Sequence, residues 1–446
     1  MEKLTSLAKR RGFIFPGSEI YGGLSGTWDY GPLGVELTRN IKNEFWRRTV
    51  QARADVVGLD AAILMSPRVW EASGHLESFS DPLVECKKCH HRFRADEIGD
   101  SEFEIQNSNF PLMCPDCGGP LTDPKAFNLM VEAYLGVIEG EKTKTYLRGE
   151  ITQGVHVNFK NVLDSTRVKL PFGIAQVGKA FRNEITPGGL TFRSREFEQM
   201  EVQFYVSPDD EDSRNWFEYW KEERMKFYLD LGLQEKHLRF EDHDKDHLAH
   251  YARMATDIEY KLGDEWKEME GIHHRGDWDL KRHAEFSKED MTYFDEETKE
   301  RYFPHIIETS GGVDRAALFF LADAYKEEEV NGETRTVLKL HPRLAPYKAA
   351  VFPLLANKPD LVNKAKEIFE SLKGDFMVAW DDRGNIGKRY RAQDEAGTPY
   401  CITVDFDTLE ETPPAGGTVT VRDRDTMKQE RVKIPELQAY LTEKVK

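Results

Sequence analysis

Arg182, Glu184, Arg193, Arg195 and Glu201 crowd into one short stretch of a 446-residue chain, with Phe197 among them. Arginine binds phosphate or carboxylate through paired N–H donors, glutamate holds an ammonium or a metal ion, and a phenylalanine ring offers a stacking surface. That set suits a nucleotide held beside a small zwitterion. A solvated, salt-bridged hairpin uses the same residue types, so the stretch acquires meaning only through partners elsewhere in the chain.

Cysteine spacing is a sharper signal. Cys86-Lys87-Lys88-Cys89 and Cys114-Pro115-Asp116-Cys117 form two Cys-x-x-Cys knuckles, and Gly118-Gly119 follows the second. Four thiolates at this separation suit a tetrahedral, structural Zn²⁺ ion with no open position for substrate. Two disulfides, disfavoured in a reducing compartment, and a redox dithiol pair are the alternatives. His90 and His91 stand close enough in sequence to replace a thiolate. Cys401, within Tyr400-Cys401-Ile402-Thr403-Val404, reads as an ordinary buried strand residue.

These residues need elements to position them. Residues 181–184 and 192–205 read as antiparallel strands joined by the turn-forming Ile185-Thr186-Pro187-Gly188-Gly189-Leu190-Thr191. Alternation puts Arg193, Arg195, Phe197, Gln199, Glu201 and Gln203 on one face of the second strand. Phe192, Ser194, Glu196, Glu198, Met200, Val202 and Phe204 take the other. Val35, Leu37, Ile41, Phe45 and Val50 lay an apolar stripe along a helix over 33–50, entered at Gly31-Pro32. Further strands are expected at 155–159, 175–181 and 303–308, and helices at 208–231 and 247–262. The sum is an α+β fold, an antiparallel sheet with helices to one side. The knuckles sit within it as an insertion over 84–120.

Asn331-Gly332 marks a hairpin turn, and His341-Pro342-Arg343-Leu344-Ala345-Pro346 closes the region. The grammar then changes to alternation. Strands are expected at 348–354, 376–380, 400–405 and 418–422, and helices at 360–372, 386–396 and 435–445. This implies a compact α/β domain over 341–446 with a mostly parallel sheet, after a first domain over 1–340.

Net charge is −17, yet residues 343–446 hold 17 basic and 17 acidic residues, so the acidity lies in the rest of the chain. A neutral C-terminal domain approaches RNA more easily than the whole-chain figure suggests, and Arg383, Lys388, Arg389 and Arg391 around Tyr390 are a candidate patch. No apolar run of about 18 residues is present to span a membrane, and the N-terminal stretch lacks a secretory pattern; the expected location is cytoplasmic.

Arg182-Asn183-Glu184 with the strand through Glu201 resembles motif 2 of class II aminoacyl-tRNA synthetases. Glu308-Thr309-Ser310-Gly311-Gly312-Val313-Asp314-Arg315 resembles their motif 3. Tyr146 to Gly154, Val157-Asn158-Phe159, Gly271-Ile272 and Asp277-Trp278-Asp279-Leu280 narrow the resemblance to the homodimeric type of glycyl-tRNA synthetase. It extends over nearly the whole chain. Two positions depart from the pattern: Gly149 and Thr309 stand where proline is usual. His273-His274 also replaces smaller or amide residues, and surface histidines are the expectation there.

The resemblance implies ATP-dependent ligation of glycine to tRNA(Gly) through a glycyl-adenylate, with Mg²⁺, a homodimer and a C-terminal anticodon-binding domain. It assigns ATP binding to Arg182, Asn183, Glu184, Phe192, Arg193, Ser194, Arg195, Glu196, Phe197, Glu268, Met269, Gly312, Val313, Asp314 and Arg315. Arg182, Glu184 and Arg315 carry catalysis in this reading. Arg182 meets the α-phosphate, Arg315 holds the γ-phosphate and covers the adenine opposite Phe197, and Glu268 serves the Mg²⁺–triphosphate. It assigns glycine binding to Arg94, Glu150, Phe197, Glu198, Gln199, Met200, Glu201, Glu308, Thr309, Ser310, Gly311 and Gly312. Glu150, Glu201 and Glu308 form a carboxylate ring for the ammonium. Either Arg193 or Arg195 reaches the triphosphate, since strand register can slip by one residue.

Overall fold

The computed structural model describes residues 1–98, 113–138, 140–244, 248, 251–410 and 416–445. Its centre is a seven-stranded sheet in the order Leu238–Asp242, Met254–Leu262, Glu265–Gly276, His305–Gly312, Glu196–Val206, Phe172–Phe181, Val56–Gly58. Every pairing is antiparallel except the last, where Val56–Gly58 runs parallel to Phe172–Phe181.

Side-chain alternation divides this sheet into two chemistries. Met200, Val202 and Phe204 point into the main core, against the helices Asp210–Asp230 and Val313–Ala324. Phe217, Trp220, Phe227 and Tyr228 line the buried side of the first helix, whose start is capped by Asp209 accepting from the backbone N–H groups of Glu211 and Asp212. The interleaved Gln199, Glu201 and Gln203 point to the opposite face, where the short helix Thr152–His156 brings the Thr152 hydroxyl against Glu201. A polar trough results.

A β-bulge sharpens it. Ile258 pairs with Glu270 but Glu259 with Glu268, so Met269 is an extra residue in its strand. The bulge flips the alternation. Glu270 meets Arg224 and Tyr228 on the helix side, whereas Glu268 reaches the trough.

Several expected elements take another form. Residues 155–159 run from the end of one short helix, Thr152–His156, through a turn to the start of another, Phe159–Ser165, because Val155, Phe159 and Val162 repeat at helical spacing over a small core. Of the helix expected over 247–262, residues 247, 249 and 250 lie outside the described residues. Met254–Leu262 is a strand that buries Thr256, Ile258 and Tyr260 on alternate positions. The motif 2 strand begins at Glu196, not Phe192: Leu190–Phe192 is a 3-10 turn, and Arg195 N–H donates to Gly26 O outside the sheet.

The cysteine knuckles hang from a small three-stranded sheet, Arg92–Arg94, Ser80–Glu85 and Lys125–Asn128. Beyond the hairpin Tyr325–Val330/Glu333–Leu338 lies a five-stranded sheet in the order Val378–Trp380, Ala349–Pro353, Tyr400–Val404, Thr418–Asp423, Gln429–Lys433. Its first two pairings are parallel and its last two antiparallel, so it is less parallel than expected. The unanticipated strand Gln429–Lys433 follows Thr418–Asp423 through a tight turn, which only antiparallel pairing permits. The two sheets are locked together by buried charge: Arg335 of the hairpin and Arg422 both donate to Asp394, at 2.8 and 2.9 Å. Among the described residues no helix is long and apolar enough to cross a membrane.

Candidate active site

The trough deepens into a cavity of about 490 Å³ with two ends. One end is lined by carboxylates. Antiparallel register sets Glu201 opposite Ser310 and Gln203 opposite Glu308, while Gly271 and His273 face Ser310 and Glu308 from the other side. Glu201 accepts hydrogen bonds from Thr152 Oγ1 at 2.7 Å, Ser310 Oγ at 2.6 Å, Gln199 Nε2 at 3.0 Å and Gln203 Nε2 at 3.3 Å. None of these donors is charged. Burial first, then the neighbouring Glu308 and Glu150 charges, push the Glu201 carboxyl up to about 8.

Glu308 differs. Its Oε2 accepts from Arg275 Nη1 and His273 Nδ1, both at 2.9 Å, and its Oε1 accepts from Gln203 Nε2 at 2.9 Å. Burial opposes its charge, but Arg275 and His273 overcome that and hold it well below the usual carboxylate range. Arg275 also clasps Asp279 through Nε and Nη2 at 2.8 and 2.9 Å. Glu150 faces His75 Nε2 at 3.4 Å and accepts from Gln153 Nε2 at 3.0 Å. Burial again opposes ionisation there, and the His75 contact outweighs it, lowering Glu150 to about 2.

The other end is arginine-rich. Arg182 lies between the rings of Phe79 and Phe197, 5.1 and 5.2 Å from their centroids, and donates from Nε to Gly149 O at 3.0 Å. It has no carboxylate at ion-pair distance among the described residues. Arg315 covers the Phe192 ring at 4.6 Å and meets Glu268 Oε1 at 2.9 Å. Arg193 also lines the cavity, paired with Glu97 and, at 3.8 Å, with Glu184. Arg195 turns away toward Ser25 O and Glu184 O.

The four cysteine sulfurs lie within 4.8 Å of one another, with Cys86–Cys117 at 3.5 Å and Cys89–Cys114 at 3.6 Å. Four sulfurs about 2.3 Å from a tetrahedral metal ion would stand roughly 3.8 Å apart, so the donor set fits one. His90 and His91 pair outward with Glu85 and Asp116 and do not join the sulfurs.

Residues 135–324 match the tRNA synthetase class II core domain (G, H, P, S and T) family, and residues 348–444 match an anticodon binding domain family. A glycine–tRNA ligase of Alkaliphilus oremlandii is 52% identical over 465 residues, covering 100% of this chain and 98% of its own. One from Geobacillus kaustophilus is 52% identical with 100% and 99% covered, and one from Thermobifida fusca 49% with 100% and 98%.

The chain belongs to the glycine–tRNA ligase family.

Against the residues expected from the family resemblance, the fold gathers Glu150, Gln199, Glu201, Glu308, Ser310 and Gly312 around the carboxylate end. Arg182, Glu184, Phe192, Arg193, Ser194, Glu268 and Arg315 gather at the arginine end, with Phe197 beside Arg182. Others stand apart. Glu198 lines the cavity by its backbone strand, but its carboxylate accepts from Lys42 at 2.8 Å. Glu196 pairs with Lys179, and Asn183 and Arg195 line a separate groove. Met200 and Val313 are in the core, and Thr309 and Gly311 alternate away from the cavity, whereas Met269, at the bulge, still lines it. Asp314 lines the cavity with its carboxylate occupied, accepting from Tyr30 Oη and Glu198 N–H, both at 2.6 Å. Arg94 reaches the cavity edge held by Asp81 at 2.9 Å and Asp96 at 2.6 Å.

Sequence reasoning missed His75, Thr152, Gln203 and Arg275. Only alternation pointed to one of them, by placing Gln203 on the Glu201 face. The expectation of surface histidines at 273–274 fails: His274 is buried and His273 bonds Glu308. The C-terminal patch loses Arg389, which is buried and donates to the carbonyls of Pro353, Asp382, Arg383 and Gly384.

Proposed function

We propose that this cavity joins glycine to ATP, forming glycyl-adenylate, and that the glycyl group then passes to tRNA(Gly). The observation that carries the reading is a matched pair of ionisable groups without a counter-ion: Glu201 has only neutral donors, and Arg182 has no carboxylate at ion-pair distance among the described residues. A zwitterion whose ammonium enters the Glu150–Glu201–Glu308 ring and whose carboxylate points toward Arg182 satisfies both. One carboxylate oxygen attacks the α-phosphorus, the α–β phosphoanhydride bond breaks, and pyrophosphate leaves. The terminal ribose hydroxyl then attacks the acyl carbon, loses its proton, and displaces AMP.

Arg182 stabilises the charge that grows on the α-phosphate oxygens, and positioning does most of the remaining work. Phe192 and Phe197 offer rings for the adenine, with Arg315 against the former. Glu184 contributes a buried carboxylate oxygen with no hydrogen-bond partner among the described residues, suited to an exocyclic amine. Arg193, which lines the cavity while Arg195 turns to Ser25 O and Glu184 O, would meet the β- and γ-phosphates. Glu268, half exposed at the cavity, would hold Mg²⁺, which neutralises triphosphate charge when bound. Glycine has no side chain to grip, so selection rests on its ammonium and on leaving no room at the α-carbon.

The four cysteines would hold one structural Zn²⁺ as thiolates. Residues 348–444 would read the anticodon, with Lys388 and Arg391 in reach of RNA once Arg389 is set aside. Two copies would assemble; the exposed Ile20, Tyr21 and Leu24 give such a contact apolar surface, and the cytoplasm is the expected setting. ATP–pyrophosphate exchange across the amino acids tests the central claim. Exchange with glycine is expected. No exchange with any amino acid ends the enzyme reading, and exchange with serine or alanine in place of glycine ends the specificity.

A further inference from the structure

The His273 ring is placed by two constraints that are independent of each other. It stands directly opposite Glu308 in the antiparallel register, so its Nδ1 reaches Glu308 Oε2 at 2.9 Å across the strands. It also lies back over its own strand at Gly271, where any Cβ would come within 2.6 Å of the ring Cε1 and 3.2 Å of Nε2. Gly271 is therefore the seat of the imidazole, and its missing side chain lets the ring lie flat beside the cavity.

The consequence falls on Glu308. A carboxylate held by one cation rotates about its last bond, and a second donor from another direction removes that freedom. Arg275 supplies the first donor and is itself anchored on Asp279. His273 supplies the second, to the same Oε2. Oε1 is thereby turned to Thr152 and Gln203, the hydroxyl and amide that Glu308 shares with Glu201.

We propose that His273 is a positioning residue for amino-acid selection, its Nδ1–H fixing the Glu308 carboxylate so that Glu308 and Glu201 present one rigid cradle to the ammonium. This rests on the glycine-activating reading of the cavity. The role belongs to Nδ1 alone, which separates it from simple filling of space.

The test is glycine-dependent ATP–pyrophosphate exchange by the full chain and by His273→Ala, His273→Asn and His273→Gln. Asparagine places an N–H donor where Nδ1 stands; glutamine carries its amide farther out. His273→Ala is expected to raise the glycine KM about tenfold, the scale of one hydrogen bond to a charged group, with the ATP KM within about twofold of wild type. His273→Asn should restore most of the glycine KM and His273→Gln should not. A glycine KM in His273→Ala within about twofold of wild type overturns the proposal, as does an equal rise in both KM values. If circular dichroism shows His273→Ala unfolded, the Asn–Gln pair decides: a glycine KM lower in Asn supports the role, and equal values overturn it. Absence of glycine-dependent exchange in the wild-type chain would instead overturn the reading of the cavity.

Discussion

Glu201 and Glu308 share the Thr152 hydroxyl, 2.7 Å from one and 3.1 Å from the other, yet they stand in opposite electrostatic states. Glu308 has Arg275 and His273 against its second oxygen and is held ionised; Glu201, with neutral donors only, is held toward its protonated form. The asymmetry suits a site awaiting one positive charge. An ammonium entering between them completes a balance that Arg275, already divided between Glu308 and Asp279, leaves open.

Glycine binding should therefore release a proton. Glu201 titrates at about 8 in the free site, so at pH 7 it is mostly protonated, and an ammonium beside it favours the carboxylate. Affinity for glycine is expected to rise as pH increases toward 8 and then level. The linked effect on stability has the opposite sense. The folded chain binds this proton more tightly than the unfolded chain, so the Glu201 contribution weakens as pH rises from the ordinary glutamate range toward 8. Calorimetric titration with glycine in buffers of differing ionisation heat measures the proton, and Glu201→Gln should abolish its release.

Arg182→Ala should cut glycine-dependent exchange by a factor on the order of 10²–10³, the scale of removing one donor aimed at transition-state charge. Because Arg182 forms no ion pair at contact distance among the described residues, the melting temperature should move little. Exchange rates and a thermal melt on the same preparation check both halves.

Arg275→Ala should act first on stability. Its guanidinium is buried between Glu308 and Asp279, and removing it leaves two buried carboxylates without their cation. A loss of about 3–5 kcal/mol is expected, read by urea denaturation. Asp279→Asn, which leaves Arg275 its partner Glu308, should cost less.

Metal analysis should find one zinc per chain, lost in Cys114→Ser. The knuckles share a small core with Ala95, next to Arg94, and Glu97 in the same segment accepts from Thr186 at 3.1 Å and pairs with Arg193. Zinc loss is thus expected to raise the ATP KM severalfold while leaving the glycine KM nearly unchanged. Equal changes in both would show that the knuckle module does not act through Arg193.

Residues that act through local chemistry were legible in the chain. The paired Cys-x-x-Cys knuckles announce their cluster because a tetrahedral site needs four thiolates at short, regular spacing. Arg182, Glu308 and Arg315 were marked by the likeness of their segments to motifs 2 and 3, and alternation alone assigned Glu201 and Met200 to opposite faces. The helix Pro32–Trp46 follows from apolar spacing and its Gly31-Pro32 entry, whereas Ile386–Ala396, which buries Arg389, Gln393 and Asp394, has no apolar stripe.

What packing decided is of another kind. The bulge at Met269 that turns Glu268 into the cavity, the presence of Arg193 rather than Arg195 in its lining, and the burial of Arg389 all depend on which strands and loops become neighbours. Arg275, His75 and His273 carry no periodic signature, because each meets Glu308 or Glu150, carboxylates distant in sequence whose charge matters only once water is excluded. A sequence carries side-chain chemistry and local geometry. The dielectric around a carboxylate, and hence whether Glu201 or Glu308 bears the charge, exists only in the folded sheet.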